Sequence, residues 1–79
     1  LRDSESDELV AIKSARLDLG VKVRDLREKL GMSQRELAAL IVQPPATVVE
    51  IENGSINVSL NRLSDIATAM NRRLTIQFI

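Results

Sequence analysis

"SQRELAALIVQPPATVVEIENG", residues 33–54, is the stretch that decides how this chain folds. Ser33 followed by Glu36 is a capping box, in which a hydroxyl and a carboxylate satisfy backbone N–H groups at the start of a helix. Leu37, Ala38, Leu40 and Ile41 then recur at helical spacing. Pro44 and Pro45 force the chain out of helix, yet Pro45 suits the first position of a new one, where its missing N–H would have no partner anyway. A further helix is predicted from about Pro45 to Glu52, ended by Asn53-Gly54. The stretch reads as two short helices joined by a tight turn.

Upstream, residues 5–30 place Leu9, Ile12, Leu19, Val23, Leu26 and Leu30 on one helical face. Gly20 costs about 1 kcal/mol relative to Ala inside a helix, so the segment is either one long helix or two with a break near Asp18 to Gly20. Gly31 supplies a left-handed stop. Downstream, "GSINVS" is a polar loop, and Ser59 is a natural N-cap for a helix with Leu60, Leu63, Ile66, Ala67 and Met70 facing inward and Asn71 as its stop. In "RRLTIQFI" the period changes to two, Leu74, Ile76 and Phe78 alternating with Thr75 and Gln77, which predicts a strand. A lone strand leaves its backbone N–H and C=O groups unpaired. Pairing with the same segment of a second copy is the economical remedy, so Leu74, Thr75, Ile76, Gln77 and Phe78 are expected to close a homodimer.

The 79 residues leave room for one domain, divided into an N-terminal extension helix (1–18), a helical core (19–71) and a dimerisation strand (73–79). There is no Cys and no His, which removes disulfides, zinc-finger ligands, thiolate nucleophiles and imidazole bases. No enzyme, metal site or small-molecule cofactor is expected. No apolar run approaches the roughly 18 residues of a membrane span, and the acidic, polar start is unlike a signal peptide, so a soluble cytoplasmic protein is expected. The start on Leu rather than Met is what trimming from a longer protein would leave. Net charge is zero, with eleven basic and eleven acidic side chains. The first eight residues hold four of the acids and one Arg, which leaves ten basic against seven acidic residues in the rest. A mildly basic body with an acidic tip is compatible with nucleic acid as a partner without demanding it.

Residues 26–74, "LREKLGMSQRELAALIVQPPATVVEIENGSINVSLNRLSDIATAMNRRL", resemble the Cro/CI-type (XRE) helix-turn-helix family without needing a gap. "LREKLGMSQRELA", "IENG" and "SLNRLSDIATAM" at their mutual spacing carry the resemblance. It implies an all-α, lambda-repressor-like bundle of about five helices plus the short C-terminal strand, with one helix crossing the DNA backbone and the next entering the major groove. It also implies a structural ion pair between Arg27 and Glu52. Some members of the family, antitoxins among them, close their dimers with C-terminal strands.

The resemblance implies double-stranded DNA as partner, held by Gln34, Arg35, Asn53, Ser55, Asn57 and Arg62 at phosphates, with Gln43, Pro45, Ala46, Thr47 and Glu50 facing the major groove. The chain departs from the family at the reading positions. Val42 stands where a Gly is preferred, Pro44 brings no capping oxygen, and Ala46 and Val49 replace polar readers. Two functions follow. One is a homodimeric transcriptional regulator, with an autorepressing antitoxin and its cognate toxin as one version of it. The other is a protein-interaction module that kept the scaffold and reads DNA weakly or not at all.

Overall fold

The computed structural model of the chain describes residues 4–75, with side chains from Val10 onward. It holds four helices: α1 (Ser4–Lys29), α2 (Gln34–Leu40), α3 (Pro45–Glu52) and α4 (Leu60–Ala69). α3 packs against both α1 and α2, and α4 closes over α2. The buried apolar side chains are Val23 of α1, Leu37 and Ala38 of α2 with Ile41 just after it, Val48 and Ile51 of α3, and Ile66 of α4 with Met70 at its end.

The described residues therefore differ from a bundle of about five helices plus a strand. α1 runs unbroken for 26 residues, because Gly20 sits inside it as a packing residue and not as a break. Residues 72–75 carry no regular element, so Leu74 and Thr75 are not in a strand; among the described residues no other segment pairs with their backbone. Ile76, Gln77 and Phe78 of the expected strand lie outside the described residues. Three residues read as inward are exposed: Ile12, Leu30 and Leu60. Ile12 lies on the part of α1 that precedes its contact with α3, and Leu30 and Leu60 flank helix ends.

Gly20 is where α1 meets the end of α3. A Cβ built on it would stand 2.5 Å from the carbonyl oxygens of both Ile51 and Glu52, so only a residue without a side chain lets the two backbones meet. Gly54 repeats the device from the other side. Its φ is +71°, and a Cβ there would come within 2.9 Å of the Leu17 Cα.

All four helices end in the same hydrogen-bonding pattern, in which the two residues after the cap reach back across the last turn. Met32, Gln43, Ser55 and Arg72 donate their N–H groups to the carbonyls of Arg27, Ala38, Glu50 and Ala67. The pattern requires a left-handed residue in each turn, and these are Gly31, Val42, Gly54 and Asn71. Val42, with φ 56°, is the exception in kind, since a β-branched side chain in that conformation is disfavoured by about 1–2 kcal/mol. It is also 83% exposed, so packing offsets little of that strain.

Two substitutions should move stability against ordinary expectation. Gly to Ala inside a helix normally stabilises by about 1 kcal/mol; Gly20→Ala should instead lower the urea midpoint, because the methyl meets two backbone carbonyls. Val42→Gly should raise it, through a gain of about 1 kcal/mol in unfolding free energy, although it removes a helix-turn side chain. A raised midpoint for Gly20→Ala, or a lowered one for Val42→Gly, would contradict this packing.

Candidate nucleic-acid interface

Arg27 and Glu52 are the only charged residues buried among the described ones, and they meet. Arg27 Nε lies 2.7 Å from Glu52 Oε2 and Arg27 Nη2 lies 3.1 Å from Glu52 Oε1, a two-pronged pair joining α1 to the end of α3. Arg27 Nη1 donates to the Met32 carbonyl at 2.8 Å and so also fixes the turn between α1 and α2. The Gln34 amide, at the first position of α2, donates to Glu52 Oε1 at 3.0 Å. Glu52 thus accepts from two helices at once, and no buried side-chain polar atom among the described residues lacks a partner. The hydrogen bonds to Glu52, opposed by the desolvation of burial, raise the Arg27 pKa above its ordinary value. Arg27 keeps its charge at every relevant pH.

Local sequence holds the rest of the frame. Ser33 caps α2, its hydroxyl accepting from the Glu36 N–H at 3.0 Å while the Glu36 carboxylate accepts from the Ser33 N–H at 2.8 Å. The Ser33 backbone and hydroxyl together pull the Glu36 pKa below its ordinary value. Ser59 caps α4 through the Arg62 N–H at 3.1 Å. Pro44 caps α3 with no side-chain hydrogen bond, and Pro45 follows it as the first helical residue.

The residues expected at DNA fall into three groups. Gln34 is half-buried and committed through one N–H to Glu52, so it is held in one orientation with its second N–H to spare. Thr47, Asn57 and Arg62 line one groove of about 240 Å³ between α3, the loop after it and α4, where Ser59 joins them. Arg62 is loosely tied there to Asp65 at 3.8 Å. Arg35, Asn53 and Ser55 are exposed on α2 and on the turn that ends α3, and Gln43 is half-buried before α3.

On α3 itself, burial divides the faces cleanly. Val48, Ile51 and Glu52 point inward and Thr47 is half-buried, while Pro45, Ala46, Val49 and Glu50 are exposed. Those four stand at i, i+1, i+4 and i+5 and share one side of the helix.

One participant was missed by the sequence. Arg16, within the expected N-terminal extension helix (1–18), donates its Nε to Asn57 Oδ1 at 2.8 Å and so ties the loop after α3 to α1. Forty-one positions separate the two residues, and no local pattern marks a polar pair at that distance. Ser59 was read only as a cap, and its place in the groove follows from where α4 starts.

The Helix-turn-helix family model matches residues 23–77. An uncharacterized HTH-type transcriptional regulator of Archaeoglobus fulgidus is 38% identical over 58 residues, which is 73% of this chain and 83% of that protein. Among solved structures, the restriction-modification controller protein C.AhdI from Aeromonas hydrophila superposes with a TM-score of 0.74 at 33% identity, covering 76% of this chain and 91% of its own. The clp gene regulator ClgR from C. glutamicum gives 0.71 at 32% identity, covering 72% and 73%.

Removing one partner of a buried ion pair strands the other charge, which typically costs about 3–5 kcal/mol, a large share of the roughly 5–15 kcal/mol that holds a small domain together. Glu52→Gln should therefore unfold much of the protein at 37 °C, while Arg27→Met combined with Glu52→Leu should be far milder than the sum of the single changes in a denaturation cycle. Additive effects would mean the pair is not coupled. A pH dependence follows from Glu36. Its folded pKa is depressed, so its contribution is complete above the ordinary glutamate range and fades as pH falls through the lower folded value. Glu36→Gln keeps the capping geometry without the titration, and its stability should fall less steeply on acidification than that of the parent.

Proposed function

The chain belongs to the helix-turn-helix family of the Cro/CI (XRE) type, and on that premise we propose that it is a sequence-specific, DNA-binding transcriptional regulator that works as a homodimer. The observation that carries the reading is the Glu52 junction. It locks the start of α2 and the end of α3 to one carboxylate and leaves a single exposed face on α3. A rigid pair of helices with one free face is what insertion into a groove requires. The three relatives named above support it, two being regulators and one a restriction-modification controller.

Phosphate contact falls to Gln34 with its remaining N–H, to exposed Arg35, and to the groove with Asn57, Ser59 and Arg62. Asn53 and Ser55 adjoin it on the turn ending α3. One eight-residue helix reads only a few base pairs, so a second copy supplies the other half-site, about 34 Å away. We place the contact between copies at Leu74 to Phe78. Leu74 borders an apolar groove with Leu26, Leu63 and Met70, and in the sequence Ile76 and Phe78 alternate with it.

The test is titration of the protein with duplex DNA from its own upstream region across a range of salt. The expected result is tight binding that weakens steeply with salt, exceeds binding to scrambled duplex, and loses about one unit of salt slope for Arg35→Ser or Arg62→Ser. Leu74→Glu with Phe78→Glu should give a monomer in sedimentation and weaker binding to a two-half-site duplex. Failure to bind any duplex at low salt would overturn the regulator; an unaltered dimer in the double variant would overturn the placement of the contact.

A further inference from the structure

The exposed face of α3 is almost without hydrogen-bond donors, in its side chains and in its backbone. Pro45, Ala46 and Val49 are apolar, and Glu50 can only accept. A helix start normally offers several free N–H groups. Here Pro44 and Pro45 have none, and the Thr47 N–H is taken by the Pro44 carbonyl at 2.9 Å, so the first N–H that α3 can present is that of Ala46. The Thr47 side chain is half-buried and turned toward the groove with Asn57 and Arg62. Gln43 and Asn53 offer donors only before and after the helix.

We propose that this face selects A·T pairs by packing Pro45, Ala46 and Val49 against thymine methyl groups in the major groove, where it offers no side-chain donor to the acceptors of guanine. The inference rests on the regulator reading and names what its reading helix recognises. Guanine presents two acceptors, N7 and O6, in the major groove. Against this face they would lose water and gain no donor, and they would meet the Glu50 carboxylate. An A·T pair presents the one apolar group in that groove, the thymine methyl; an amino group able to donate to Glu50 is offered by adenine and cytosine alike, so the methyl carries the selection. The apolar surface of α3 is therefore complementary to the methyl-bearing edge of an A·T pair and not to the acceptor edge of guanine.

The experiment uses the full chain. Binding sites are selected from a random duplex pool, and each selected thymine is then replaced by deoxyuridine, which removes the C5 methyl and leaves every hydrogen-bonding group in place. Selected half-sites should hold A·T pairs at their centre, and each contacted methyl removed should weaken binding about fourfold. Where a selected pair is changed to C·G, 5-methylcytosine should recover part of the loss relative to cytosine. Val49→Ser should abolish one methyl effect while leaving the salt dependence unchanged, a result that a purely structural role for Val49 does not give. Salt-dependent, sequence-selective binding that is indifferent to deoxyuridine would overturn this inference and leave the regulator standing. No binding to any duplex in the pool would overturn both.

Discussion

Glu52 sits where three parts of the molecule have to agree. Its carboxylate receives Arg27 from α1 and Gln34 from α2, and its backbone carbonyl lies against Gly20. A buried ion pair of this kind contributes little net stability compared with a well-packed apolar substitute, because desolvating both charges offsets most of their attraction. Its effect is geometric. A Leu at position 52 would fill space from any of several angles, whereas a carboxylate holding three directed hydrogen bonds admits one. Those directed bonds join the start of α2 to the end of α3, alongside the apolar contacts that pack the two helices together.

The same junction explains why α1 is continuous. Bringing the end of α3 against α1 requires a gap in the side-chain surface of α1, and Gly20 provides it at a helical cost of about 1 kcal/mol. Gly54 mirrors this at Leu17, and Arg16 reaches Asn57 one turn earlier on α1. Residues 16–20 are therefore part of the scaffold that holds the loop after α3, although the family match begins only at residue 23. Beyond them toward the N-terminus, residues 10–15 are exposed, with Val10 and Ile12 apolar among them.

What could be read in the sequence follows from the range of each interaction. The Ser33–Glu36 box, the Ser59 cap, Pro45 at the start of α3 and the left-handed stops at Gly31, Gly54 and Asn71 are local events spanning a few residues, and each stands in the structure where local chemistry puts it. Gly20 was ambiguous for the opposite reason. Within its own helix it is only a weakness, and its partner lies some thirty residues away, so helix propensity suggested a break that packing removes. Arg16 with Asn57 and Gln34 with Glu52 are likewise long-range pairs of common polar residues. Arg27 and Glu52 were paired only through the family resemblance; spacing alone does not join them. Ile12, Leu30 and Leu60 show the limit of periodicity, which marks an apolar face and not how far the neighbouring helix extends.

Val42 and the two prolines belong together. The turn between α2 and α3 keeps the hydrogen bonds of a glycine turn, Gln43 to Ala38 and Val42 to Ala39, while carrying a β-branched residue that glycine would relieve. Pro44 and Pro45 then replace a capping side chain with two fixed φ angles, which lowers the entropy of the unfolded chain and pre-sets the entry into α3. A strained turn and an uncapped helix are both local weaknesses, and they lie side by side with Val42 and the prolines all at the surface. Since no buried contact requires any of the three, their presence is not explained by the core. What they have in common is an apolar surface without side-chain donors of its own, running from the turn onto the face of α3 with Ala46 and Val49. The fold accommodates that surface because the junction at Glu52 ties α2 to α3 at a place remote from the turn that connects them.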